Sequence, residues 1–237
     1  MKLKNLLIDS LKELGQRPSF FVPKLVTSFI GSIWILSALQ TIKSPNMAAI
    51  YFETAIFPVI FFLGVLSPVI VAEMVKNRLG LVEAFKKTFS YFPKLFLTTL
   101  LLLAGATASV LPSYVGLAFY LYLGVLEAVF IGAVISLVLV AGLAYGIYFL
   151  PVTLVDNSAF GGLRKSFEAS RQYRKEVTLL ILLSFALLGL AAFSSGLLRG
   201  LGVTGFVTGR MLSSTVSTYT VILSPKLYLE DVRPSES

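Results

Sequence analysis

The sequence predicts an all-α integral membrane protein with six transmembrane helices, arranged as three helical hairpins. Hydrophobic residues make up 56% of the 237 residues and charged residues only 14%, whereas soluble domains carry about 25% charged residues. Six apolar runs are long enough to cross about 30 Å of hydrocarbon. Such a chain cannot cover its apolar residues with polar surface, so lipid must cover part of it.

The N-terminal residues 2–17 are predicted to form an amphipathic helix that lies in the membrane interface. Lysines occupy the side opposite to a stripe of leucines at helical spacing. The leucines are Leu3, Leu7, Leu11 and Leu14. A solvated helix that packs on the protein is the alternative interpretation.

The first hairpin is predicted from two apolar runs, residues 20–42 and 47–71, which a polar turn at residues 43–46 joins. Glu53 lies near the start of the second run. Pro58 lies inside this run and is expected to kink it, because proline removes a backbone hydrogen bond.

The second hairpin follows a basic amphipathic connector within residues 67–99. The apolar positions of this connector are Val82, Phe85, Phe89 and Phe92, and its basic residues are Lys76, Arg78, Lys86 and Lys87. A third span is predicted over residues 93–111, where Pro112 and Ser113 break it. A short outer segment over residues 115–126 and a fourth span over residues 127–150 complete the hairpin.

The third hairpin follows a second connector, residues 151–176, in which Phe160, Leu163 and Phe167 oppose several arginines and lysines. The fifth span is predicted over residues 177–198 and the sixth over residues 203–223. The sixth span is unusually rich in serine and threonine.

An internal repeat is predicted, with three copies in one membrane domain at residues 1–73, 74–156 and 157–231. The connectors GLVEAF (80–85) and GLRKSF (162–167) match, as do FVPKL (21–25) and YFPKL (91–95). Three span ends share a proline followed five residues later by an acid: Pro68 with Glu73, Pro151 with Asp156, and Pro225 with Glu230. We expect the proline to end or bend the helix and the acid to cap the next one.

The basic residues predict the orientation of the chain. The net charge is +8, yet the basic residues flank apolar runs, which argues against a nucleic-acid partner. In the six-span arrangement every lysine and arginine except Lys43, Arg199 and Arg210 falls on one side. Positive residues stay on the cytoplasmic side, so we expect a cell-membrane protein with both termini in the cytoplasm.

Ionisable residues inside spans are candidates for function, because an unpaired charge in hydrocarbon is costly. Glu53, Glu127 and Arg210 meet this description, and the arginine could pair with either glutamate. Arg210, Ser214 and Ser217 form one polar stripe. Helix packing, a substrate or ion site, and snorkelling of the charges to the outer interface are three open interpretations.

The residue inventory argues against an enzyme. The chain has no cysteine and no histidine, and its twelve acids are scattered, so we predict no catalytic cluster, metal site or cofactor. No glycine-rich phosphate loop and no nucleophile elbow occurs.

The segment FLPVTLVDNSAFGGLRKSFEASRQYRKEVTLLILL, together with FVPKL, resembles a group of prokaryotic (archaeal) multi-pass membrane proteins of unknown function. It is similar to the membrane domain fused to some glycerophosphodiester phosphodiesterases, through Pro151, Asp156, Ser166 and Phe167. The resemblance implies the six-span architecture alone, since the chain contains no phosphodiesterase domain.

Two functional hypotheses follow from these patterns. The first is a non-enzymatic membrane protein that interacts with membrane lipids, with partner membrane proteins or with a second copy of itself. The second is a small transporter or channel that uses Arg210 with Glu53 or Glu127. A lipid-processing enzyme is the weakest alternative, because nothing marks a nucleophile.

Overall fold

The computed structural model describes residues 3–43 and 46–232, and this part of the chain consists of helices joined by short turns and loops, without strands. Its α-helices are α1 (Leu3–Gln16), α2 (Val22–Lys43), α3 (Met47–Lys76), α4 (Leu81–Ser90), α5 (Phe92–Leu123), α6 (Leu126–Gly146), α7 (Leu150–Asp156), α8 (Ala159–Gln172), α9 (Arg174–Leu198) and α10 (Gly202–Leu227). Two short 3₁₀ turns precede α2 and α10, and a π-helical turn follows α10.

Five of the described helices are long and apolar enough to cross a membrane. The spans are Pro18–Thr41, Met47–Lys76, Phe92–Leu123, Leu126–Gly146 and Arg174–Leu198. Only 11–33% of the residues in their most apolar windows are buried in protein, so the protein itself does not enclose most of these residues. Helix α10, where the sixth span was predicted, is long enough but not apolar enough to be counted with them. Its serines and threonines lower its hydropathy.

Consecutive long helices pack against each other in three pairs, α2 with α3, α5 with α6, and α9 with α10. Helix α10 also packs against α1, α2, α3 and α7. The most polar long helix is therefore the one most surrounded by protein, which buries the hydroxyl residues Ser214, Thr218 and Ser224.

The best-packed part of the protein lies at one end of the long helices. There the ends of α3 and α10 meet the short helices α1, α4, α7 and α8. Side chains with no exposed surface include Met74, Leu154, Val177 and Leu223. This end has a protein-like core, whereas the long helices expose their apolar residues.

The predicted break at Pro112 is wrong, because α5 continues through Pro112 to Leu123. The hydroxyl of Ser136 on α6 accepts a hydrogen bond from the backbone N–H of Ser113 (3.0 Å). A Cβ added to Gly132 would lie 2.3 Å from the carbonyl oxygen of Pro112. The close approach of α6 thus supports the backbone around the proline, and the predicted outer segment is the end of α5.

The prediction that the repeated prolines end their helices is wrong at Pro68 and Pro225. Pro68 and Pro225 lie inside α3 and α10, and Pro151 begins α7. The fourth span therefore ends at Gly146, before a turn that leads into α7. Proline is tolerated inside these helices because neighbouring helices surround it.

The repeated acids do not cap the following helices. Glu73 lies within α3 and Asp156 ends α7. The start of α4 is held by Glu83, whose carboxylate accepts from the backbone N–H of Gly80 (3.3 Å). The start of α8 is capped by Ser158. Serine and a glutamate at the third helical position are the residues that usually provide such caps.

The predicted turn at residues 43–46 includes Ser44 and Pro45, which lie outside the described residues. Asn46 accepts a hydrogen bond from the backbone N–H of Ala48 (2.9 Å) and so caps α3. Helix α4 exposes Val82, Phe85 and Phe89. These apolar side chains lie beside the basic residues of the same helix.

Candidate functional site

A cavity of about 740 Å³ lies between the long helices and is lined by residues of α2, α3, α5, α6, α9 and α10. Its wall is mainly apolar, with aromatic side chains such as Phe57, Phe61 and Phe206. A mainly apolar cavity with a few polar groups is typical of a ligand site. We call it the central cavity.

Two cationic side chains face the central cavity, Lys24 from α2 and Arg210 from α10. The hydroxyl of Ser28 donates to the backbone carbonyl of Arg210 (3.2 Å), which holds α2 against α10 at this level. The guanidinium lies beside Gly31, where an added Cβ would be 3.6 Å from its nitrogen. Its carbon is 6.0 Å from the centre of the Phe206 ring. Glycine at position 31 therefore leaves room for the guanidinium.

Neither cation is neutralised by the described part of the protein. Lys24 and Arg210 form no ion pair among the described residues, and the cavity wall there contains no carboxylate. Arg210 Nε is buried and has no hydrogen-bond acceptor among these residues. An unpaired charge in an apolar site is costly unless a ligand or water compensates it. The central cavity therefore presents two cationic groups that lack a described counter-charge.

Hydroxyl groups add neutral donors to the central cavity. Ser195 is already occupied, because it donates to the carbonyl of Gly209 (2.7 Å) and lies 3.0 Å from the Ser213 hydroxyl. Ser214 and Ser217 line the cavity, and no hydrogen bond from their hydroxyls to described residues occurs. These two hydroxyls are available to a bound anion.

Close contact between α9 and α10 fixes the polar wall. A Cβ added to Gly205 would lie 1.8 Å from the Leu198 carbonyl oxygen, and one at Gly209 would lie 2.8 Å from the Ser195 side chain. Small residues allow such backbone approach in membrane helices. Arg210 follows directly after Gly209, so this contact determines where the arginine enters the cavity.

The structure brings together only part of the predicted polar site. Arg210, Ser214 and Ser217 share the central cavity, but Glu53 and Glu127 do not line it. Glu127 is exposed in the first turn of α6. The expected pairing of Arg210 with either glutamate is absent among the described residues, because the two acids lie on other parts of the bundle.

Glu53 instead joins α2 to α3. Its carboxylate accepts from the Ser37 hydroxyl, and its backbone carbonyl accepts from the Trp34 indole N–H (3.3 Å). The other carboxylate oxygen, Oε2, is buried without a described partner. The position of Glu53 therefore agrees with the helix-packing interpretation.

Lys24 was missed as a site residue, because it was assigned to the cytoplasmic basic residues. The equivalent residue of the matching motif, Lys94, bonds to the carbonyl of Leu154 and lies 3.4 Å from that of Val155. Lys94 thus neutralises the C-terminal end of α7. No local sequence signal separates the two lysines, since both follow an aromatic-rich segment and a proline.

A second polar cluster, the Glu73 joint, connects α3 to α4 and α5. It consists of Glu73, Asn77, Lys87 and Tyr91. The Tyr91 hydroxyl donates to Glu73 Oε1 (2.5 Å), whereas Asn77 and Lys87 (3.2 Å) contact Oε2. The Glu73 side chain has no exposed surface, and Lys87 is 45% exposed. Burial, together with the hydrogen bond to Glu73, raises the pKa of the Tyr91 phenol above its ordinary value.

The described residues contain no group of three or more acidic, cysteine or histidine side chains that could hold a metal ion. No protein-family model, curated protein or solved structure matches the chain.

Proposed function

We propose that the chain is a cell-membrane protein with six crossing helices in three hairpins, each introduced by a short helix. The hairpins are α2–α3, α5–α6 and α9–α10, and the introducing helices are α1, α4 and α8. The packing of consecutive helices supports this arrangement. The protein that surrounds α10 explains how a helix of low hydropathy can cross the membrane. The same order of elements supports the repeat at residues 1–73, 74–156 and 157–231.

The proposed orientation has both termini in the cytoplasm, because the connectors that contain α4 and α8 carry ten of the twenty basic residues and residues 2–24 carry five more. The chain has no cysteine, so a single introduced cysteine shows directly on which side of the membrane its position lies. In intact cells, Asp9→Cys and Lys165→Cys should not be labelled by a membrane-impermeant maleimide. Tyr122→Cys should be labelled. The reverse pattern would contradict the orientation.

The central cavity is proposed to bind the head group of an anionic membrane lipid without chemical conversion. The observation that carries this proposal is the pair of unneutralised cations, Lys24 and Arg210, in an otherwise apolar cavity. The hydroxyls of Ser214 and Ser217 would complete the contacts to a phosphate. A lipid fits because the head group meets cations while its chains meet apolar walls.

The test measures binding of phosphatidylglycerol to the purified protein by native mass spectrometry, with phosphatidylcholine as the neutral reference. Lys24→Met and Arg210→Met should each weaken phosphatidylglycerol binding about 10- to 100-fold, the value of one charge-assisted hydrogen bond. Lys43→Met is the matched control, because it removes one exposed lysine of α2 outside the cavity. Equal binding by all variants would exclude the cavity as the lipid site.

Transport is the second candidate, favoured by the position of the cavity among all six long helices. A transport path through the cavity would use Lys24 and the polar stripe of Arg210, Ser214 and Ser217, since Glu53 and Glu127 lie elsewhere. Reconstituted vesicles that contain a fluorescent phosphatidylglycerol distinguish the candidates. Transfer between leaflets that depends on Arg210 would favour transport, and binding without transfer would favour a lipid-binding role.

A further inference from the structure

An apolar groove of about 300 Å³ lies on the outer side of α2 and α3, beneath α4. Its walls include Val26 of α2, Leu63 and Ile70 of α3, and Val82 and Phe85 of α4. Val26, Val82 and Phe85 are exposed, so the groove opens to the outside of the bundle. From Leu63 to Ile70 it follows about 10 Å of α3 at the helical rise of about 1.5 Å per residue.

The groove and the central cavity share one residue. Thr27 lines both of them, and Lys24, which lines the cavity, follows directly after Pro23 of the groove. On α3, Gly64 faces the cavity and its neighbour Leu63 faces the groove. The contact between α2 and α3 at this level thus lies between the two spaces. We call it the Thr27 seam.

The Thr27 seam is loosely packed. The Thr27 hydroxyl donates to Pro23 in its own helix (2.9 Å), and its distance to the Leu63 carbonyl oxygen across the seam is 3.5 Å. On the cavity side of the seam, a Cβ added to Gly64 would meet no atom within 4 Å. One long hydrogen bond adds little to the attraction between the two helices at this level, so the seam can separate here at little cost.

We propose that the Thr27 seam is a lateral opening and that the groove holds a hydrocarbon chain of the anionic lipid. This inference rests on the proposed function, because the head group of the same lipid lies at Lys24 and Arg210 in the central cavity. The chain passes Thr27 and lies along α3 beneath α4. A cationic cavity beside an apolar groove favours a lipid over a free anion, because a free anion has no hydrocarbon chain to occupy the groove.

The test uses a phosphatidylglycerol that carries a photoreactive diazirine in its acyl chain, in phosphatidylcholine vesicles that contain the purified protein. Cross-linked residues are mapped by mass spectrometry, and a diazirine phosphatidylcholine gives the background of ordinary lipid contact. We expect groove residues such as Val26 and Val82 to react about tenfold more with the anionic probe, the factor for one charge-assisted contact. Arg210→Met should remove this excess.

Two variants act on the seam itself. Leu63→Trp should fill the groove beside the seam and abolish the excess cross-linking there, while head-group binding by native mass spectrometry persists, because Leu63 lines the groove and not the cavity. Leu182→Trp on α9 is the control, because Leu182 is exposed and lines neither space. Thr27→Val removes the long hydrogen bond across the seam at constant size, and the excess should remain or increase.

The outcomes separate the two proposals. If phosphatidylglycerol binds in an Arg210-dependent manner but its chain cross-links at another helix pair, the lateral opening is wrong and the proposed function stands. Equal labelling of the groove by both probes also overturns the opening, as does protection of the groove in a dimer of the protein. Loss of all specific binding would overturn both proposals.

Discussion

Replacement of Tyr91 by phenylalanine tests the energetic role of the Glu73 joint. Among the described residues, the Tyr91 hydroxyl is the donor to Glu73 Oε1, whereas Asn77 and Lys87 both serve Oε2. The Glu73 side chain has no exposed surface, so water cannot replace the lost donor. A hydrogen bond to a buried charged group contributes about 1.5–3 kcal/mol. Tyr91→Phe should lower the free energy of unfolding by this amount.

The assay is thermal unfolding of the detergent-solubilised protein, followed by circular dichroism at neutral pH. For a chain of this size the expected loss corresponds to a decrease of about 3–12 °C in Tm. Tyr122→Phe is the control, because Tyr122 is 87% exposed, and its effect should stay within about 0.5 kcal/mol. Equal Tm values for the two variants would refute the reasoning.

A double-mutant cycle tests whether the effect acts through Glu73. In a protein that carries Glu73→Leu, Tyr91→Phe should lower the free energy of unfolding much less, because the hydrogen-bond acceptor is already absent. A coupling energy of about 1 kcal/mol or more is expected for residues in direct contact. If the two changes in free energy of unfolding simply add, the Tyr91 hydroxyl does not act through Glu73.

The same contact predicts a stability loss in alkali. The pKa of Tyr91 is raised in the folded state, so above about pH 10 the unfolded phenol loses its proton first. The folded state then binds more protons, and stability falls with increasing pH by up to about 1.4 kcal/mol per unit for this group. Below pH 10 this group does not make the free energy of unfolding depend on pH. Tyr91→Phe should show a shallower decrease than the wild-type protein above this pH.

Two further substitutions test the packing of the helices. Gly132→Leu should destabilise the protein by about 1–3 kcal/mol or more through overpacking, because even a Cβ would lie 2.3 Å from the Pro112 carbonyl oxygen. Gly142→Leu, on the same helix with open space around it, should leave Tm nearly unchanged, and equal effects would contradict the close α5–α6 contact. Lys226→Met should release α1 from α10 by removal of the 2.6 Å contact with Glu13, at about 1–3 kcal/mol. Limited proteolysis should then cleave within α1 faster than in the wild-type protein, and an unchanged cleavage rate would argue against this role.

Composition and apolar run length determined most of the helical architecture of this protein. In lipid, a long uncharged run can form all of its backbone hydrogen bonds only as a helix. Five such helices occur where apolar runs were predicted. Local signals were less reliable at prolines. Pro112 marks a break in an isolated helix, but here α6 supports the backbone with Ser136. The tolerance of a proline thus depends on a neighbour that lies distant in the sequence.

The candidate site depended on the tertiary structure to a greater degree. The stripe of Arg210, Ser214 and Ser217 follows from helical spacing, and these residues do share a cavity. Lys24 and Lys94 occupy matching motifs, yet one faces the cavity and the other binds the carbonyl groups of α7. Hydropathy is a property of one segment, so it indicates which helices can enter a membrane. The partner of each buried charge depends on how those helices rotate and pack, which only the assembled bundle determines.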